Sequence, residues 1–275
     1  MLVPLATDRG YWIAAAAASR VGWQARGLGG WWNTRYAVLD TIFDHSRGQH
    51  ATQRAATSPF YDFDPQYGPV IYFNVAGYDA PALNFSAPLT LAVWCRPGFT
   101  NATGTRAFGK LLSKPHTTPT SDPFALLSLG VDNANPAHWT GGISTGLGGS
   151  SVGVTSTSVL TLDTLTHVAM TYDGSNLRLY VNGVLEHTVA TSLSIGTNSM
   201  ALNFGCHANV TANNRWFGII QDIRWYERVL NDAEMLQLVD PATRWDLISV
   251  PPLTPVSLAV SAPALLVQPL TIIVT

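Results

Sequence analysis

The residues best equipped for chemistry are few, and their spacing argues against most catalytic schemes. A retaining glycosidase needs two carboxylates about 5–5.5 Å apart, one as nucleophile and one as acid/base. The only glutamates are Glu186, Glu227 and Glu234, and none has a carboxylate partner at i+2. His45 and His50 share one loop, while His116, His138 and His207 are scattered, so no paired His or His/Cys metal spacing appears. A Gly-x-Ser-x-Gly nucleophile elbow is also absent. Sugar recognition asks for something else, aromatic platforms beside amides and hydroxyls on loops. Asn133–Trp139 and His207–Trp216 have that make-up, which nominates Trp139, Asn209, Asn213 and Trp216 as ligand contacts. Polar loops ending in a tryptophan that anchors the next strand would read the same way. Asn209-Val210-Thr211 is in addition a glycosylation sequon.

The elements that must carry these loops are strands. His167 to Tyr172 alternates apolar or small with polar residues, the period-2 pattern of a half-buried strand. Asp173-Gly174 then supplies a tight turn, Leu177–Val181 a second strand, and Asn182-Gly183 a second turn into Val184–Val189. The expected strands lie at about 90–96, 166–172, 177–182, 184–190 and 217–226, with Trp94, Val168, Leu179 and Ile223 buried.

The wording of 164–183 resembles the central hairpin of laminin-G-like domains, in the concanavalin A-like lectin/glucanase superfamily. There a strand ending "HVAxTYDG" runs into one ending "LYVNG". Ile219–Leu230 resembles the closing strand, followed by Asn231-Asp232-Ala233-Glu234 as the start of a short helix. Gly29-Gly30-Trp31-Trp32, the loop Asp44–His50 and the strand Leu89–Pro97 extend the likeness over about residues 28–240. The resemblance implies an all-β fold, an antiparallel two-sheet jelly-roll sandwich with extended N- and C-terminal arms. It further implies that His167 is a packed or hydrogen-bonded core residue. The superfamily's laminarinase-type enzymes place their carboxylates as Glu-x-Asp-x-x-Glu, a pattern this chain lacks. The family often carries Ca²⁺, which would fall to Asp222 and to Asn74, where the family has an acid. Alternatively, Asp222 pairs with a neighbour such as Arg224.

Composition narrows the partners. The chain has 275 residues, 47% of them hydrophobic and only 12% charged, with a net charge of −2. That balance gives no electrostatic case for nucleic acid, and neither Lys110 nor Lys114 sits in a basic run. A surface so poor in charge suits a protein packed against others, including copies of itself. Cys95 and Cys206 both fall on apolar strands and read as two buried thiols, with a cross-sandwich disulfide as the alternative. The short run Tyr11–Ala18, preceded by Asp8 and Arg9, makes a poor secretion signal.

Three regions follow: an N-terminal arm at 1–27, a sandwich at 28–246 and an apolar extended arm at 247–275. After Asp246 no charged side chain occurs, and Pro251, Pro252, Pro255, Pro263 and Pro269 rule out a membrane-spanning helix. Such a tail is expected to be buried, on its own domain or on another chain as an added strand. Gly29–Trp32, the sandwich and the Asp240–Trp245 phrase before this tail together resemble laminin-G-like structural proteins of tailed bacteriophages. That likeness implies a non-enzymatic virion protein, decorating the capsid or belonging to the tail and docking on other virion proteins through its C-terminal arm. The rival is a carbohydrate-binding adhesion module for host-surface glycans, in a secreted or cell-surface setting.

Overall fold

A computed structural model describes Gln24 and residues 26–34, 37, 40–54, 60–64, 68–73, 77–98, 109–116, 125–207, 215–241, 243 and 244. Sixteen strands and one helix are described, and all named strand pairs are antiparallel. The first sheet runs β14 (Val184–Ala190), β13 (Asn176–Val181), β12 (Thr166–Tyr172), β7 (Leu89–Pro97), β16 (Gly218–Tyr226), β5 (Gly68–Phe73) and β4 (Phe60–Asp64). β1 (Leu28–Asn33) lies beside the second half of β16. The second sheet runs β11 (Ser151–Val159), β10 (His138–Ser144), β9 (Ala125–Val131), β8 (Lys110–Pro115), β15 (Leu202–Phe204), β6 (Tyr78–Ala80), β3 (Ala51–Gln53) and β2 (Thr41–Ile42). This is the expected sandwich, and the expected strand positions agree within a residue.

Alternation decides which face each side chain takes. Leu91, Val93 and Cys95 of β7 and Met170 and Tyr172 of β12 point between the sheets. They meet Leu127, Leu129, Trp139, Ile143 and Phe204 from the second sheet. Trp94, Val168, Leu179 and Ile223 are buried as expected. Both cysteines are free and buried, and burial raises both thiol pKa values, that of Cys206 to about 11.

One expectation needs correction. β12 is buried along its whole length rather than on one face. The cause is a lid on the outer side of the first sheet. Helix α1 (Asp232–Val239) buries Met235 and Leu238 against Ala92, Ala169, Tyr180 and Tyr226. Its start is fixed by a capping box in which Asn231 and Glu234 satisfy each other's backbone amides. The same outer side holds His167, 1% exposed and tilted against Trp94 with the ring centroids 5.2 Å apart. The turns are as read: Asn182 and Gly183 both hold positive φ (48° and 79°), the pairing a type I′ hairpin demands. The Asp173 carboxylate accepts from the Ser175 and Asn176 amides and from Arg178.

Candidate functional site

The three glutamates are each committed to a structural contact. Glu186 accepts from the Ser158 amide and from the Thr157 and Ser158 hydroxyls, tying the sheet edges β11 and β14 together. Glu227 pairs with Arg47 at 2.7 Å, and Glu234 with Arg228 at 2.9 Å. Asp44, 3% exposed, is surrounded by the amides of Trp31, Ser46, Arg47 and Gln49, so it builds its loop.

Asp222 does not fit a calcium ligand. It is buried, and its oxygens accept from Arg224 Nε (2.6 Å), Trp31 Nε1 (2.5 Å) and Asn33 Nδ2 (3.4 Å). A guanidinium occupies the place a cation would need, so the pairing with Arg224 is the one realised. Asn74 lies outside the described residues. Among the described residues no group of three or more His, Cys, Asp or Glu is arranged to hold a metal ion.

The sequence-nominated aromatic platform is also corrected. Trp139 and Trp216 do come together, ring centroids 6.0 Å apart, but they are 1% and 2% exposed within the core. Trp139 near the start of β10 and Trp216 just before β16 are both turned inward, so neither ring offers a face to a sugar. Asn209 and Asn213 lie outside the described residues. The stack does seat the loop before β10, where Asp132 accepts from the Ala134 and His138 amides and leaves Asn133 and Asn135 exposed.

A different surface has the right chemistry. On the outer face of the second sheet, one cross-strand row follows the ladder through seven strands. Thr52 faces Asp79, Asp79 faces Asn203, Asn203 faces Ser113, Ser113 faces Ser128, Ser128 faces Gly142, and Gly142 faces Gly153. At about 4.8 Å per strand this row is about 29 Å long. Every member is small or polar. A methyl placed on Gly142 or Gly153 would meet only neighbouring backbone, at 3.4 Å or more, so the space above both is open.

The row carries unspent hydrogen-bonding capacity. Asp79 is held by a forked Arg54 (Nη2 2.6 Å, Nε 3.1 Å) and by Asn203 Nδ2 at 2.8 Å. Asn203 Oδ1 and Ser113 Oγ are buried without a hydrogen-bond partner. Each such group costs about 1–3 kcal/mol unless a water or ligand hydroxyl satisfies it. A parallel row lies nearer the 132–138 loop: Lys110 faces Gly130, Gly130 faces Thr140, and Thr140 faces Thr155. Lys110 is half-buried, and burial lowers its pKa. None of these residues is among the ligand contacts nominated from the sequence. The signal available was the recurrence of Ser, Gly and Thr at alternate positions of β9, β10 and β11.

Residues 74–235 match the family model described as the concanavalin A-like lectin/glucanases superfamily. The chain belongs to this superfamily. No curated protein matches it in sequence. Among solved structures, it is similar to domain 4 of AbnA, a GH43 extracellular arabinanase from Geobacillus stearothermophilus, in complex with arabinotriose. That match has a TM-score of 0.58 at 15% identity and covers 78% of this chain and 98% of that one. It is also similar to the binding domain of Paraclostridial Mosquitocidal Protein 1 (TM-score 0.59, 15% identity, covering 78% and 52%). The receptor binding domain of botulinum neurotoxin type G aligns with a TM-score of 0.55 at 13% identity, covering 78% and 51%. The chain thus spans about half the length of the two toxin domains. At these identities the likeness is one of fold.

Proposed function

We propose that the protein is a non-catalytic glycan-binding module whose ligand lies across the outer face of the second sheet. The observation that carries this reading is the row from Thr52 to Gly153, whose middle members Asn203 and Ser113 are buried and whose end at Ser128, Gly142 and Gly153 is accessible and floored by glycine. A saccharide chain presents hydroxyls along its length, and the accessible members of the row, Thr52, Asp79 and Ser128, offer hydroxyl and carboxylate groups. The three glutamates support the non-catalytic part, since each is engaged with protein donors. A superfamily relative of similar extent whose structure contains arabinotriose makes a saccharide ligand reasonable.

The test uses Gly142→Phe, which fills the open floor from a position where the new Cβ meets backbone at ordinary contact distance. Screened against a glycan array, this variant should lose at least about tenfold in affinity for whichever glycan the wild type binds, with an unchanged melting temperature. Undiminished binding by the folded variant would remove the ligand from this face.

We also infer a setting in a larger assembly, as a virion structural protein that decorates the capsid or belongs to the tail. Arg224 Nη1 donates to Gln24 Oε1 at 2.7 Å, Arg224 Nη2 donates to the Arg244 carbonyl at 2.6 Å, and Gln24 Nε2 donates to the Thr243 carbonyl at 2.6 Å. Gln24, Thr243 and Arg244 therefore meet at Arg224 on the outer side of the first sheet, opposite the polar face. Anchoring through segments that start there, on other virion proteins or on further copies of the chain, would leave the polar face turned outward.

A further inference from the structure

β14 ends the first sheet, and among the described residues no strand pairs with its outer edge. A free edge is a template for another chain unless charge, proline or cover blunts it. From Glu186 onward cover does so: Glu186 accepts from the Ser158 amide of β11 at 2.8 Å, and His187 Nδ1 meets the Thr155 amide at 3.0 Å. Val184 and Leu185, ahead of that cover, stand 58% and 42% exposed.

These two residues open an apolar corner. Leu185 faces Tyr180 across the ladder, and because Tyr180 packs beneath α1, Leu185 shares the helix's side of the sheet. Leu236 of α1, 53% exposed, borders the same turn, where a methyl on Gly183 would stand 3.2 Å from its Cδ2. Val184 faces the core residue Val181 and so takes the other side of the strand. Three of the six large apolar side chains that stand exposed among the described residues thus gather around one turn. Such a patch marks an interaction site.

The chain itself carries a segment that fits. Residues 247–275 lie outside the described residues, and their sequence has no charged side chain. Within it Val256, Leu258 and Val260 alternate with Ser257 and Ala259 between Pro255 and Pro263, so an extended stretch sets three apolar side chains on one face, about 6.6 Å apart. The chain leads to this stretch from Arg244, whose guanidinium lies 5.1 Å over the Trp94 ring. Trp94 faces His167, whose amide donates to Asn182, so the corner is about two strand spacings away, or about 10 Å. Twelve residues separate Arg244 from Val256, and Pro251, Pro252 and Pro255 stiffen them. At about 3.1 Å per residue such a spacer spans about 37 Å, well past its own corner and far enough for that of a neighbour.

We propose that this corner receives the Val256–Val260 stretch of a second copy of the chain, laid in extended form with its apolar face on Val184, Leu185 and Leu236. This rests on the assembly reading above, names a second copy as the partner, and is independent of what the polar face binds. The contact joins two uncharged surfaces, so it draws on apolar burial rather than on ion pairing.

The experiment is sedimentation of full chains over a range of concentrations, with melting temperatures measured beside it. The wild type should self-associate. Leu185→Lys, which sets an ammonium in the corner, and Leu258→Asp, which sets a carboxylate in the segment, should each associate at least about tenfold more weakly. Leu185 is half-exposed and Leu258 lies outside the described residues, so both variants should melt with the wild type. Mixed one to one, the two variants should recover a heteromeric species, since one supplies an intact segment and the other an intact corner. Self-association that survives both substitutions, or variants that stay apart when mixed, would overturn the corner as receptor while leaving the assembly reading in place. A monomeric wild type whose melting temperature falls in both variants would put the segment on its own chain and overturn the proposal as well. A wild type that neither self-associates nor joins particles would overturn both readings.

Discussion

Acid should weaken this fold through His167 in particular. The ring is fully buried against Trp94 on the outer side of the first sheet, and its Nδ1 has no hydrogen-bond partner. Burial, and secondarily the nearby Arg224 guanidinium, lowers its pKa to about 3. An unfolded chain would titrate this histidine at about 6.5. Between those two values the unfolded state takes up a proton that the folded state refuses, so stability falls as pH falls. The linkage relation gives a loss of about 2 kcal/mol on going from pH 8 to pH 5, and up to about 1.4 kcal/mol for each further pH unit down to about 3. His45, whose pKa burial also lowers, adds in the same direction. His167→Phe isolates the single residue, since it preserves the ring contact with Trp94 and removes the unpaired nitrogen. Urea unfolding at pH 8 and pH 5 should show the wild type losing about 2 kcal/mol more than His167→Phe over that interval. Parallel losses in the two proteins would refute the reasoning, because the slope would then belong to other groups.

Three further outcomes follow from buried polar contacts and from truncation. Asp222→Ala strands the buried Arg224 guanidinium and should cost about 3–5 kcal/mol in chemical denaturation; any thermal shift produced by Ca²⁺ should persist in the more conservative Asp222→Asn, because the carboxylate is engaged by Arg224, Trp31 and Asn33. Truncation after Asp246 retains Gln24, Arg224, Thr243 and Arg244 and every residue of the described core, so circular dichroism should show a folded sandwich, whereas assembly into particles or oligomers, measured by sedimentation, should be lost.

The strands were legible because alternation and turn chemistry are local. Gly174, Asn182 and Gly183 fix the positions of β12, β13 and β14 through backbone angles that few residues adopt. Local pattern also located Trp139 and Trp216, but it could not say which way they point. A tryptophan at the end of a polar loop reads the same whether it faces a sugar or the core, and only the packing of the second sheet against the first turned both inward. Asp222 is similar: its acidic side chain on the closing strand suits a metal until Arg224, Trp31 and Asn33 arrive from elsewhere in the chain. The lid over β12 required knowing that α1 folds back onto β7, β12 and β16. The polar row is the clearest case. Its members sit between positions 52 and 203, and nothing in their sequence spacing links them. Register across seven antiparallel strands is a property of the sheet, set by how each strand buries its apolar face, so the sequence by itself determined five strands of the first sheet, and the tertiary structure alone decided that Thr52, Asp79, Asn203, Ser113, Ser128, Gly142 and Gly153 of the second form one line.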